Sequence, residues 1–233
     1  MAANGTFSCT LKDSLLQPYL DMGLTVHVAM SMETAALTDG VAGKSIAAAS
    51  KWTTTHGVSG LMLDYEPSIE PAARPRMVKL YASYLKSLAS SLHMVSKEAG
   101  MCISSWGILD YYGEYADTSL DIMMSMAGTY FGTNVSKNMY NVQQELAAGV
   151  SLKQISIGVG SMMTSSCRQR QRWNYNWTQA RLSEFVAWAE HKGVESIDVW
   201  RADIDSPGGG TECTQQFYFD IIKAFLSHGK LST

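Results

Sequence analysis

Asp64 and Glu66 end the segment Gly57-Val-Ser-Gly-Leu-Met-Leu-Asp-Tyr-Glu-Pro67. In an extended chain, residues two apart project from the same face, roughly 6 to 7 Å from each other. The apolar residues Val58, Leu61, Met62 and Leu63 read as a short buried strand, and Pro67 breaks it. A strand interior has no use for two acids on one face, because burying an unpaired charge costs several kcal/mol. The carboxyl end of a parallel strand, opening into a cleft, does have a use for them. Two carboxylates this close raise the proton affinity of the more buried one and leave an acid protonated near neutral pH. That chemistry suits proton donation to a glycosidic oxygen. A carboxyl separation of about 5 to 5.5 Å would make such an enzyme retaining and about 6.5 to 9.5 Å inverting, and the sequence leaves both open.

The elements around the pair follow a repeated order of amphipathic helix, glycine and short apolar strand. Leu15 to Asp21 leads through Gly23 into Leu24 to Ser31, and Val41 to His56 leads through Gly57 into the acid-bearing strand. Met77 to Ala99 leads through Gly100 into Met101 to Trp106, with Met77, Tyr81, Tyr84, Leu85, Leu88, Leu92 and Val95 forming one helical stripe. Further strands are expected at Leu120 to Met126, Ile155 to Val159 and Val194 to Trp200. Further helices are expected near Ser136 to Ala148, at Gln179 to Lys192 between Thr178 and Gly193, and at Gln215 to Ser227. Six strands alternating with helices predict an α/β fold with a parallel sheet. Repeats of roughly 35 to 45 residues fit a (β/α)8 TIM barrel. No GxGxxG or GxxxxGK[ST] loop points to a nucleotide fold. A closed barrel has eight strands, so the expectation is one partial TIM-barrel domain over residues 1–233 that lacks the first one or two βα units, as a truncated or processed chain would.

Composition sets the outer bounds. The chain has 233 residues, 46% hydrophobic and 17% charged, enough for a large core. With a net charge of −3 and only the short basic run Arg168-Gln-Arg-Gln-Arg172, a nucleic-acid partner is not expected. No apolar run approaches the ~18 residues of a membrane span. The first residues lack the pattern of a signal peptide, yet three N-x-S/T triplets, at Asn4, Asn134 and Asn176, point to a glycoprotein that is extracellular or in the secretory pathway. The four cysteines, Cys9, Cys102, Cys167 and Cys213, match no zinc or redox spacing. Cys102 reads as a buried free thiol, and a Cys167–Cys213 disulfide stays open. No cofactor or metal is implied.

Strand carboxyl ends line the mouth of a barrel. The candidates there are His27 and Ser31, Met62 with Asp64 and Glu66, Ser104 and Trp106, Met124, Met126 and Tyr130, then Trp200, Asp203 and Asp205. Tyr111, Tyr112, Tyr115, Trp173, Tyr175 and Trp177 add aromatic rings in the loops. Acids ringed by aromatics suit a carbohydrate site, with rings stacking on sugar faces and acids bonding hydroxyls. The same aromatics could equally pack the ends of the barrel.

Ser59-Gly-Leu-Met-Leu-Asp-Tyr-Glu66 resembles the signature D-G-x-D-x-D-x-E of glycoside hydrolase family 18, the chitinases, which lies on the fourth strand of a TIM barrel. The resemblance implies Glu66 as general acid, Asp64 as the aspartate beside it and Gly60 as the motif glycine. It also implies Trp200 as the floor of the sugar site near Asp203, while Trp106, Tyr130, His27 and Met126, from their places at or just beyond strand ends, are the further substrate contacts expected. The implied partner is an oligo- or polysaccharide. Ser59 and Met62 stand where the signature has its first two acids. In that family the paired inner aspartates share a proton and help the substrate's N-acetyl group act as nucleophile, so Met62 deprives Asp64 of that partner. Two other readings remain: a non-catalytic chitinase-like lectin, and a metal-dependent phosphodiesterase with Asp64 and Glu66 as ligands.

Overall fold

Gly60–Leu63 is buried along its whole length, as a strand of a covered parallel sheet must be. It is strand β2 of a computed structural model that describes residues 1–2, 4–6, 16–17, 20–21, 25–130, 134–160, 177–200 and 216–228. The chain divides into two compact units, Met1–Met123 and Met124–Thr233.

The first unit contains β1 (His27–Met30), a 3-10 turn, α1 (Asp39–Thr55), β2, a second 3-10 turn, α2 (Arg74–His93), β3 (Glu98–Ile103) and the short α3 (Tyr112–Ala116). Strands β1, β2 and β3 are parallel and follow chain order. His27, Gly60 and Glu98 pair at one end, and Met30, Leu63 and Met101 at the other. The apolar face of α2 buries Val78, Tyr81, Tyr84, Leu85, Leu88, Ala89 and Leu92, and this stripe packs the helix against β3. The helix is shorter than its spacing suggests. It ends at His93, the left-handed position falls on Ser96 (φ 55°), and β3 has begun by Glu98. Gly100 therefore does not end a helix. It lies inside β3, where an added Cβ would come within 3.0 Å of the Ile122 carbonyl oxygen, so its role is close backbone approach.

The second unit takes in β4 (Ile122–Met126) from Met124 onward, then α4 (Ala127–Tyr130), α5 (Val135–Ala147), β5 (Ile155–Gly160), α6 (Gln179–Lys192), β6 (Ser196–Trp200) and α7 (Gln216–His228). Strands β5 and β6 are parallel, from Ser156 opposite Ser196 to Gly160 opposite Trp200. Helix α6 has the predicted ends. The Thr178 hydroxyl accepts from the Arg181 backbone N–H at 3.3 Å, and Gly193 sits at φ 81°. Trp177 is buried, donates its indole N–H to the Gly128 carbonyl at 3.1 Å and stacks on Phe185 at 5.7 Å, so it is a core residue and not a sugar platform. All six strands overlap the predicted segments, with β1 beginning later, and β3 beginning earlier, than the pattern suggests. Among the described residues no helix is long and apolar enough to cross a membrane.

Glu145 on α5 is fully buried. Ser125 Oγ donates to its Oε1 at 2.8 Å, while Oε2 has no partner. Burial pushes this carboxyl up to about 8, against the weaker opposing effect of the Ser125 bond. Between about pH 4.5 and 8 the folded chain therefore keeps a proton that the unfolded chain has lost. Stability falls as pH rises through that window and levels off above it. Glu145→Gln, a neutral near-isostere, should be more stable than the parent at pH 8 by a few kcal/mol, with little difference near pH 4. Thermal unfolding of both proteins at the two pH values checks this.

Candidate active site

Asp64 follows the last residue of β2, and its backbone N–H donates to the Met30 carbonyl at 2.8 Å. That bond extends the ladder with β1 by one step and fixes the carboxylate at the carboxyl edge of the sheet. Side chains alternate from there. Tyr65 turns into the core, where its hydroxyl meets Thr34 Oγ1 at 2.6 Å and its ring packs 5.1 Å from Tyr81. Asp64 and Glu66 leave by the opposite face, Asp64 half-buried and Glu66 exposed.

The two carboxyls are closer than the strand repeat alone requires, because Glu66 lies in hydrogen-bonding reach of Asp64. Asp64 is pushed up to about 6, first by burial, then by the Glu66 charge and by the hydrogen bond between the two groups. The acid that holds a proton toward neutral pH is thus Asp64, the more buried of the pair. Trp106 Nε1 donates to Glu66 Oε2 at 3.1 Å. Its loop is held from below: the Tyr115 hydroxyl donates to the Ile108 carbonyl at 2.7 Å, and Leu109 N–H donates to the Trp106 carbonyl at 3.1 Å. Tyr115 is fully buried and meets Tyr81 edge to face at 5.6 Å, and Tyr112 is buried as well. Both belong to the core, as the packing alternative has it. Trp106→Phe keeps the ring but removes the donor to Glu66. Hydrogen bonds to charged groups contribute about 1.5 to 3 kcal/mol, less where exposed. A drop of roughly tenfold in turnover, with folding unchanged, is the expected result.

Ser59 and Met62, which replace acids of the family signature, have structural roles. Ser59 Oγ accepts from the Val26 backbone N–H at 2.9 Å, at the amino end of the strand. Met62 is buried, and its Cε lies 3.5 Å from where a Cβ on Gly100 would stand.

The structure brings together Asp64, Glu66 and Trp106, but not His27. His27 opens β1 and does not close it, three residues from the carboxyl edge. Its Nε2 pairs with Glu98 Oε2 at 2.6 Å, at the amino end of the sheet. The strand begins later than its apolar run suggests, which moves the histidine to the other end. Met126 is the last residue of β4 and is buried. Tyr130 ends α4 and Trp200 ends β6, while their side chains, Asp203 and the Cys167–Cys213 pairing lie outside the described residues. Cys102 is fully buried. Among the described residues no three His, Cys, Asp or Glu side chains gather as metal ligands.

No protein-family model matches the chain. No curated protein matches it. Solved structures do. A chitinase from Chromobacterium violaceum superimposes with a TM-score of 0.72 at 10% identity, covering 100% of this chain and 89% of that one. A chitinase from Bacteroides thetaiotaomicron gives 0.70 at 10% identity, covering 97% and 84%. A class V chitinase from Pseudomonas fluorescens gives 0.69 at 12% identity, covering 91% and 84%. Identities this low carry the fold alone, and the chain has a divergent chitinase-like α/β fold of the TIM-barrel type, with six strands among its described residues.

Proposed function

We propose that this protein is a glycoside hydrolase acting on an N-acetylated glycan, with Glu66 as the proton donor. The carrying observation is the hydrogen-bonded Asp64–Glu66 pair at the carboxyl edge of β2, with Trp106 donating to Glu66. Hydrogen-bonded carboxyls stand about 2.5 to 3 Å apart. That is closer than the roughly 5 Å or more that a retaining or inverting pair needs to flank a sugar. Asp64 is therefore neither nucleophile nor base for an attacking water. It serves as a proton store. Its proton passes to Glu66, Glu66 gives it to the glycosidic oxygen as the bond to the sugar breaks, and the Asp64 carboxylate left behind faces the positive charge that develops on the sugar. The nucleophile is then the substrate's own N-acetyl oxygen, which requires an acetamido sugar. The chitinase fold supports that class of substrate, and the proton store supports the reaction.

Release of a chromophore from N-acetylglucosamine oligosaccharides, measured beside calorimetric binding of the same sugars, tests the reading. Hydrolysis supports it. Binding without hydrolysis assigns the chain to the non-catalytic lectins, a reading favoured by one observation, the buried thioether of Met62 where the signature has a carboxylate. Neither activity overturns both.

A further inference from the structure

Trp106 is joined to Glu66 twice, once directly and once through the core. The direct link is the indole N–H on Glu66 Oε2 at 3.1 Å. The second begins at Tyr65, the residue between Asp64 and Glu66. Its ring packs 5.1 Å from Tyr81 on α2, and Tyr81 meets Tyr115 of α3 edge to face at 5.6 Å. All three rings are buried, and tilted and edge-to-face contacts are preferred ring geometries, so the stack is a spacer of set length. At its far end the Tyr115 hydroxyl donates to the Ile108 carbonyl at 2.7 Å. Ile108 is a central residue of the turn Trp106-Gly107-Ile108-Leu109, closed by the Leu109 N–H on the Trp106 carbonyl at 3.1 Å. Gly107 takes φ 66° in that turn, a value glycine reaches without strain. The Ser104 N–H donates to the Leu109 carbonyl at 3.4 Å and ties the turn to the end of β3. The circuit thus runs from Glu66 through the indole, the turn, the Tyr115 hydroxyl and the three rings, back to the residue beside Glu66.

We infer that Tyr115 is a positioning residue: its hydroxyl sets the height of the Trp106 turn, and the turn aims the indole N–H at Glu66. Burial pushes the Tyr115 phenol far above its ordinary value, so the hydroxyl keeps its proton and stays a donor. Without it the Ile108 carbonyl, buried with its residue, loses its donor, and an unpaired buried carbonyl is costly. The turn must then tilt to offer that oxygen another partner. Ile108 and Leu109 are buried apolar anchors, so the turn shifts and does not unravel. A shift of about 1 Å at the indole is enough to break its bond to Glu66. The Tyr81 hydroxyl has no partner, so Tyr81 contributes its ring alone. Only the effect on rate rests on the proposed function.

The test follows hydrogen exchange of the Trp106 indole N–H by nitrogen NMR, its resonance assigned by its loss in Trp106→Phe. Tyr115→Phe keeps the ring and drops the hydroxyl. In that variant the indole N–H should exchange about fivefold faster or more, while the amides of Gly60–Leu63 exchange as in the parent. Tyr81→Phe takes the same atom from the same stack without breaking a bond, and should leave the indole unmoved. On an N-acetylglucosamine oligosaccharide, Tyr115→Phe should lower kcat by about three- to tenfold at constant KM, since this route can cost no more than the indole bond itself. Added to Trp106→Phe, it should lower kcat by less than about twofold further. An unchanged indole in Tyr115→Phe overturns the inference. So does an equal change in Tyr81→Phe, because packing alone would then explain it. If Tyr115→Phe does not fold, Gly107→Ala decides. A Cβ there meets nothing within 4 Å, so it strains the turn through φ alone, and an unmoved indole again overturns the inference. Exchange needs no turnover, so a faster indole in a protein that hydrolyses nothing upholds Tyr115 and sinks the hydrolase. An active enzyme with an unmoved indole does the reverse.

Discussion

Glu66→Gln should lower kcat/KM on an N-acetylglucosamine oligosaccharide by about 10² to 10⁴, the usual contribution of a positioned general acid. The sugar should still bind, because glutamine retains the shape of the side chain. Asp64→Asn should be nearly as damaging for a different reason. The amide cannot pass a proton to Glu66, nor can it present a negative charge once the bond breaks. The two variants separate in their pH dependence. With Asp64 pushed up to about 6, principally by burial, the pair holds its transferable proton below that pH and loses it above. Activity of the parent should therefore decline as pH rises through about 6, approaching tenfold per unit. Residual activity of Asp64→Asn should lack that limb. Initial rates across pH 4 to 9 decide it, and a parent profile that is flat from pH 5 to 8 would sink the proton-store role.

Gly60→Ala is expected to have the largest effect on folding. A Cβ at this position would overlap the Glu98 carbonyl oxygen and stand 2.9 Å from His27 Cδ2. The obstacle is chiefly backbone, in the first register pair between β2 and β3, so it cannot swing aside as a side-chain end would. Overpacking in a core costs about 1 to 3 kcal/mol where side chains can adjust, and the cost here should exceed about 3 kcal/mol. Urea unfolding should show a much lower midpoint or no cooperative transition. Separating the strands would also pull apart the His27–Glu98 pair, and the acid pair would move with the carboxyl end of β2.

Much of this was readable before any coordinates. The alternation of helix, glycine and strand places all six strands, and the Leu-Met-Leu run before Asp64 marks a strand end because charge cannot follow it into the core. The limits of pattern reading show at particular residues. Gly100 looks like a helix terminator, but its role is set by the Ile122 carbonyl, a neighbour far away in sequence. Periodicity places Tyr81 and Tyr84 among the Leu residues of a buried stripe and says nothing of their hydroxyls. Tyr115 and Trp177 look like sugar platforms because ring exposure depends on tertiary packing, and both proved buried. His27 lies at the amino end of the sheet and not at its mouth because the first strand begins only at residue 27. The contact between Asp64 and Glu66 could not be read either, since the pleat fixes their common face while the rotamers set their separation.

The thiol of Cys102, fully buried on β3 one step past the last pair with β2, gives this protein an internal clock. An alkylating reagent can reach that sulfur only when the sheet parts beside the acids. Its modification rate, mapped to this cysteine by mass spectrometry, therefore times the opening of the sheet edge beside Asp64 and Glu66. A bound oligosaccharide that bridges that edge should slow the clock, whether or not it is ever cut.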